Sequence, residues 1–479
     1  MVNPFTPEFG GAVNRSSPDD ALRAMGIELS SATQRLYSNS RGPIWVNKPN
    51  LFEDLRSYAA SHGIHDTFVD SAVIDTLLAT NKPSDRAIAD RLMTESIIRT
   101  AKEISSRSDV NDFAGVFSSA MAPRNSPRAA LKLIADAMDA SAPQHPMYAD
   151  MRRQYNTLLE KGNMDDPKLV SLRVNMARVR QDGIIGETPR QNQILVNVAA
   201  GKMVYDVAGT QGESRVIIGE GEVTIKDKIY NKRTPIGEGS VQGITLHQPW
   251  RPTINIAERR GLMAQIPMLL ETGARHYVEP NGTRFEFDPN LVNSPHVSPF
   301  KMLAGSNNPM GFIKVSLGGT FGRSNIYIHD TPDKPSAFAN FAQSSGCMRT
   351  EGITQLAAAL TRDPYLGERY GYANNQALFE AAKETVKNPL TGQMEMRHQM
   401  NGIRVPVHGN IKVKTVYQTV TYDPITQTAI VHKDIYKRDT MADRPSRNAM
   451  PDIQLEQEPV LVADRTRTTQ PGAKPRYQG

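Results

Sequence analysis

The feature that most constrains this chain is a change of hydrophobic period near residue 190. Before it, apolar residues recur every three or four positions, the spacing of helices that bury one stripe. In "LFEDLRSYAASHG", which follows Asn50, the stripe is Leu51, Leu55, Tyr58 and Ala59, and Gly63 supplies a stop. Ser84 can cap a helix carrying Ala89, Met93, Ile97, Ala101 and Ile104. Ser126 and Pro127 form an N-cap and first helical position ahead of Ala130, Ile134, Ala137 and Met138. A further stripe, Met147, Met151, Tyr155, Leu158 and Leu159, ends near Gly162. After residue 190, "QILVNVAAGKMVYDVAGTQGESRVIIGEGEVTIKDKIY" shows short β-branched runs broken by glycine turns, and "GFIKVSL", "RSNIYIH" and "IRVPVHGNIKVKTVYQTVTYD" continue the pattern. Blocks of the two periods in succession call for an α+β protein whose helices and strands segregate. The expected organisation is a helical scaffold over 1–165, a mostly β domain over 166–439 with one helix at 351–362, and a tail over 440–479 without fixed structure. Within the β domain, 255–308 reads as an insertion that folds over something.

Length and composition narrow the function. A chain of 479 residues exceeds one ordinary core. It contains no run of about 18 uncharged apolar residues, so nothing in it reads as a membrane span. The formal net charge of +6 is dispersed rather than striped with aromatics, which argues against nucleic-acid binding and fits an anionic polymer equally well. The opening "MVNPFTPEFGGAVNRSSPDD" lacks the basic and apolar segments of a signal peptide. A single cysteine, Cys347, excludes an internal disulfide and any cysteine-rich zinc site.

The chemistry concentrates in 324–360. Alternation in "NIYIH" puts Ile326 and Ile328 on a core face and Tyr327 and His329 on a cleft face. After a loop the chain reaches Ser344, Ser345, Gly346 and Cys347, with Arg349 two residues on and a helix expected from 351, capped by Thr350. That placement would set the thiol before a helix N-terminus, whose field favours thiolate. Gly346 permits close backbone approach, so the N–H groups of 346 and 347 could form an oxyanion hole, and His329 could accept the thiol proton. A lone cysteine is also commonly an inert buried hydrophobe, and local chemistry leaves both readings open. Other motifs carry less. "GEGE" at 219–222, "GEGS" at 237–240 and "SLGGTFGRS" are turn glycines, and His329-Asp330 is half of a metal pattern that no further cluster completes.

The stretch from His329 to Arg349 closely resembles the catalytic signature of the L,D-transpeptidases (YkuD-type domain). In that signature a His is followed by Ser or Thr, a variable residue, Gly, the nucleophilic Cys, an apolar residue and Asn or Arg. "SRGPIWVNKPNLFEDLRSYAASHGI", "PQHPMYADMRRQY", "RTPIGEGSVQGITLHQPWRPTINI" and "NNPMGFIKV" are similar to flanking segments of the large periplasmic subfamily with a helical scaffold. The resemblance spans about 40–439 and is most specific at 326–349. It implies a β-sandwich-like catalytic domain with a lid at 255–308, and a Cys347 thiolate that attacks the diaminopimelate–D-Ala bond of peptidoglycan tetrapeptide stems. It also implies His329 as base and acid, Gly346 at the oxyanion, Tyr327 and Trp250 as cleft walls, and Ser345 and Arg349 as supports of the motif loop. Neither metal nor cofactor is called for, carbapenems should acylate Cys347, and a periplasmic location follows. The acceptor stays open between a second stem, giving a 3→3 cross-link, an amine of an envelope protein, and water. A wall-binding factor without activity, or a protein with an incidental thiol, are the readings outside this class.

Overall fold

A computed structural model of the chain describes residues 17–442 except 40–42, 46–47, 49, 81, 106–109, 164–165, 184–187, 226, 281, 296, 305–306, 332–338, 388, 390–393, 399 and 401. Of the expected tail, 440–442 end a short helix, Arg438–Ala442, and the remainder lies outside the described residues. The described residues form two compact units, one of 17–60 and 64–142, the other of 61–63 and 143–442. Among them no helix is long and apolar enough to cross a membrane.

The first unit is helical. Its longest helix, Pro83–Ile104, carries apolar residues such as Ile88, Leu92 and Ile97 together with buried Asp90, Thr94 and Glu95. Buried carboxylates need partners, and here they fix the connecting segments. Asp90 accepts the Ile44 and Trp45 N–H groups at 2.9 Å and the Tyr37 hydroxyl at 2.5 Å. Burial raises the pKa of Asp90, while these donors pull it back. Ser126 caps Pro127–Ser141 by accepting the Ala129 N–H, as its sequence position suggested. Ser84 does not cap the long helix: Pro83 opens it, Lys82 holds the cap position, and Ser84 lies inside the first turn.

The division at 142/143 lies upstream of the one expected at 165. Helices Pro146–Glu160 and Pro167–Asp182 pack with the strands. The Asp150 carboxylate accepts the Ala429 N–H at 2.7 Å, Asn175 Nδ2 donates to Thr419 Oγ1 at 2.6 Å, and Arg178 pairs with Asp439 at 2.8 Å.

In the second unit the largest sheet has ten strands among the described residues. We number them β1 (Gln193–Asn197), β2 (Lys202–Val207), β3 (Thr210–Gly219), β4 (Gly237–Leu246), β5 (Ile313–Leu317), β6 (Ile328–His329), β7 (Ala342–Ser344), β8 (Met348–Thr350), β9 (Arg404–Val405) and β10 (Lys412–Val416). The order is β5-β6-β8-β3-β2-β1-β10-β4-β9, with β7 beside β3. Strand β4 leaves β10 after Ser240 and pairs with β5 from Val241, so the sheet closes on itself. The β2–β3 turn places Ala208 and Gly209 at φ +50° and +81°, the sign that a two-residue hairpin requires at both positions. The core holds Ile194, Val196, Ile218, Ile244, Val315, Ile328 and Met348, covered by Leu356 and Leu360 of the helix Ile353–Leu360. Residues 254–302 carry a smaller core of their own, in which Leu262, Leu269, Phe285 and Phe300 join two short helices to the sheet His276–Val278, Arg284–Phe287 and Phe300–Met302.

His247, fully buried, spends both ring nitrogens. Nε2 lies 2.8 Å from the Ala382 carbonyl and must donate, and Nδ1 accepts the Met400 N–H at 2.9 Å. A second proton would cost the latter bond in a desolvated site, and the pKa accordingly falls below 6.5. Burial lowers His432 in the same way. Because the unfolded chain binds protons that the folded unit refuses, the contribution of these histidines is complete above pH 6.5 and declines as pH drops below it. Melting temperatures measured from pH 7.5 down to 4.5 should therefore fall below pH 6.5, as each such histidine withdraws up to about 1.4 kcal/mol of stability per pH unit. A melting temperature unchanged across that interval would contradict the assignment.

Candidate active site

Strand register assembles the site. Across five strands, Arg404 of β9 lies opposite Thr245 of β4, Thr245 opposite Lys314 of β5, Lys314 opposite His329 of β6, and His329 opposite Arg349 of β8. Residues directly opposite one another share a face of the sheet. Tyr327 and Cys347 each stand two residues before a member of that row, and so project to the same side. The parallel pairing of Ile328 with Met348 locks this arrangement, and the Met348 N–H donates to the Tyr327 carbonyl at 2.9 Å. Ile326 and Ile328 turn into the core, as the alternation of "NIYIH" indicated.

Two adjoining cavities open over this face. The larger, about 750 Å³, is lined by Tyr327, Lys314, Asn325, Trp250 and Cys347 among others. The smaller, about 320 Å³, is lined by His329, Arg349, Ser344, Trp250 and Cys347. Cys347 belongs to both, and the two cavities meet over it. Trp250 forms their common wall, held by paired backbone hydrogen bonds with Met302 at 2.8 and 2.7 Å. The helix Ile254–Arg259 of the insertion contributes Ile256 and Arg259 to both cavities, and the Arg259 guanidinium reaches Ser345 Oγ at 3.4 Å.

The loop that presents Cys347 is held by Ser344 rather than by Ser345. Ser344 is 1% exposed. Its Oγ donates to the Cys347 carbonyl at 2.6 Å and accepts the Gly346 N–H at 3.1 Å. Ser345 instead faces the cavities and is exposed. Gly346 has φ +109°, and a Cβ there would stand 2.8 Å from Ile326 Cδ1. Its carbonyl accepts the Thr234 hydroxyl at 2.9 Å. The Thr234 N–H in turn donates to Tyr436 Oη at 3.0 Å, and that hydroxyl donates to the Gly219 carbonyl at 2.7 Å. Gly346 therefore earns its place through conformation. Its N–H donates to Ser344 Oγ at 3.1 Å.

The helix expected directly after Cys347 is also displaced. Met348–Thr350 form β8, Gly352 is the N-cap, and the helix spans Ile353–Leu360. Thr350 is a buried strand residue bonded to Ser214 Oγ at 2.8 Å. A helix field acts over its first turn and does not reach the thiol from there. Burial raises the Cys347 pKa above its ordinary value, opposed by a backbone hydrogen bond from Tyr327 and by the charges of Arg349 and Lys314.

His329 is 2% exposed. Its Nδ1 lies 2.5 Å from the Asp330 carbonyl, which can only accept, so Nδ1 carries the proton and Nε2 is the basic nitrogen. Burial, with Arg349 and Lys314, pushes its pKa down to about 3, against the pull of the Asp330 and Met310 carbonyls. Burial thus favours the neutral form of both the imidazole and the thiol. Asp330 faces away, ion-paired with Lys383 at 3.0 Å and accepting the Phe312 N–H at 3.2 Å, so it is a structural partner. Among the described residues no group of three or more His, Cys, Asp or Glu is placed to hold a metal.

Two groove residues escaped the sequence reading. Lys314 was visible only as the polar position of "GFIKVSL". Asn325, at φ +53°, turns its carbonyl to within 3.9 Å of Cys347 Sγ.

This geometry brings a cysteine and a histidine to one cavity on a closed sheet. Residues 191–365 match the family model YkuD, described as the L,D-transpeptidase catalytic domain. The chain is also 26% identical over 211 residues to a Haemophilus influenzae protein described as "Putative L,D-transpeptidase". That alignment covers 42% of this chain and 38% of the relative.

Two outcomes follow. Alkylation of Cys347 by iodoacetamide should be slow at pH 7 and climb through pH 9 and beyond; a plateau reached below pH 7 would refute the neutral resting pair. Gly346→Ala should lower the acylation rate of Cys347 about a hundredfold, because it disturbs the loop that aims the thiol. Acylation at the wild-type rate would show that the loop tolerates a Cβ.

Proposed function

We propose that this protein is a peptidoglycan L,D-transpeptidase. The observation that carries the reading is the meeting of Cys347 and His329 at one cavity within the matched domain, brought there by adjacent parallel strands. The donor is a tetrapeptide stem. Cys347 Sγ attacks the carbonyl between diaminopimelate and the terminal D-Ala while His329 Nε2 takes the thiol proton, which is the order a neutral pair imposes. The oxyanion develops in the positive field of Arg349 and Lys314, and His329 then returns the proton to the departing D-Ala amine. The resulting thioester passes to the side-chain amine of diaminopimelate in a second stem, giving a 3→3 cross-link in wall remodelling. Tyr327 and Trp250 shape the groove, and the insertion over 255–308 acts as a lid on it. Carbapenems acylate the same thiol. The protein works in the periplasm, where a single cysteine has no partner with which to form a disulfide.

The larger cavity runs past Cys347 between the helix Ile254–Arg259 and the Ile229–Lys232 segment, which leaves room for an acceptor beside the thioester. An envelope-protein amine is the alternative acceptor, and water would make the enzyme an L,D-carboxypeptidase or an endopeptidase of existing links.

Wild type and Cys347→Ala incubated with disaccharide tetrapeptides, with products read by intact mass, separate these outcomes. A dimer formed with loss of D-Ala, and only with Cys347 present, is expected. Release of D-Ala without dimer would move the assignment to hydrolysis, and absence of both would remove the enzymatic reading.

A further inference from the structure

The row that contains His329 carries three cations, Arg349, Lys314 and Arg404, and among the described residues Lys314 has no carboxylate partner. Lys314 is half-buried on β5, directly opposite His329, and lines the larger cavity with Tyr327 and Cys347. Its Nζ stands 4.8 Å from the centre of the Tyr327 ring. Beyond Thr245 the next member of the row is Arg404, also a cation. Among the described residues neither Lys314 nor Arg404 is ion-paired with a carboxylate. Burial and Arg404 both disfavour the charge on Lys314, and its field acts on Cys347 and His329. A half-buried ammonium in the field of a second cation is disfavoured in the free protein unless an anion arrives.

We propose that Lys314 binds the free carboxylate of the residue leaving the donor stem, and thereby restricts the reaction to the carboxy-terminal peptide bond. This rests on the transpeptidase reading above. The carboxylate of the leaving residue lies one residue step, about 3.8 Å, beyond the carbonyl that Cys347 attacks. A cation on the groove floor next to the nucleophile is within reach of that position. An internal bond presents a neutral amide there, which leaves the ammonium uncompensated, so it is rejected by the cost of burying Lys314 unpaired. Tyr327 holds the ammonium over its ring face and limits the directions from which an anion can approach.

The test compares the release of the terminal residue from a tetrapeptide stem ending in a free carboxylate with release from the same stem ending in a carboxamide. The full-length wild type, Lys314→Met and Lys314→Arg are assayed, and melting temperatures report whether each variant is folded. Wild type should lose about ten- to a hundredfold in kcat/KM on amidation. Lys314→Met should be slow on the acid and indifferent to amidation, and Lys314→Arg should recover part of the preference. A wild type indifferent to amidation overturns the inference without need of any variant. So does Lys314→Met or Lys314→Arg retaining full discrimination, or a sensitivity that follows amidation of the diaminopimelate carboxylate instead. In each of these cases transpeptidation itself still stands. No release from either stem by wild type fails the transpeptidase reading, and this inference with it.

Discussion

Everything at the site depends on the parallel pairing of Ile328-His329 with Met348-Arg349. Two residues on each strand suffice, because the apolar partners Ile328 and Met348 are completely buried and a slip by one position would turn both outward. With that register fixed, His329 and Arg349 stand side by side, and Tyr327 and Cys347 flank them. The closed sheet extends the same row to Lys314 and Arg404. The placement of Cys347 and His329 is thus a consequence of the core, not an addition to it.

Electrostatics around the pair work in two directions. Burial drives both groups toward their neutral forms, raising the thiol and lowering the imidazole. Arg349 and Lys314 oppose a charged imidazole and favour a thiolate. In the proposed reaction the two cations would stabilise negative charge forming at sulfur and oxygen during attack. Orientation comes from carbonyls and hydroxyls: Asp330 fixes the imidazole tautomer, Ser344 and Thr234 fix the cysteine loop, and Tyr436 ties Thr234 to the end of β3.

Local pattern made part of this legible. The change of period, the N-cap at Ser126, and the division of Ile326 and Ile328 from Tyr327 and His329 all follow from spacing along one element. What sequence reading missed depends on contacts distant along the chain. "MRT" became a strand because β3 and β6 offer it partners on both sides, which delayed the helix to Ile353. Ser344 and Ser345 are indistinguishable as neighbours in sequence, and only the inward turn of the loop at Gly346 decides which is buried. Nothing in the local pattern of helices Pro146–Glu160 and Pro167–Asp182 announces that Asp150 and Asn175 bond to residues some 250 positions later. Lys314 became a site residue only through its register with His329.

The central claim is that Cys347 carries the acyl group, with His329 as its base. Acid-quenched wild-type protein, taken early in the reaction with a tetrapeptide stem and digested for mass spectrometry, tests it most directly. The peptide containing Cys347 should be heavier by the stem less its terminal residue and one water, and His329→Gln should remove the adduct. An adduct on another residue, or turnover without any adduct on Cys347, would contradict the account.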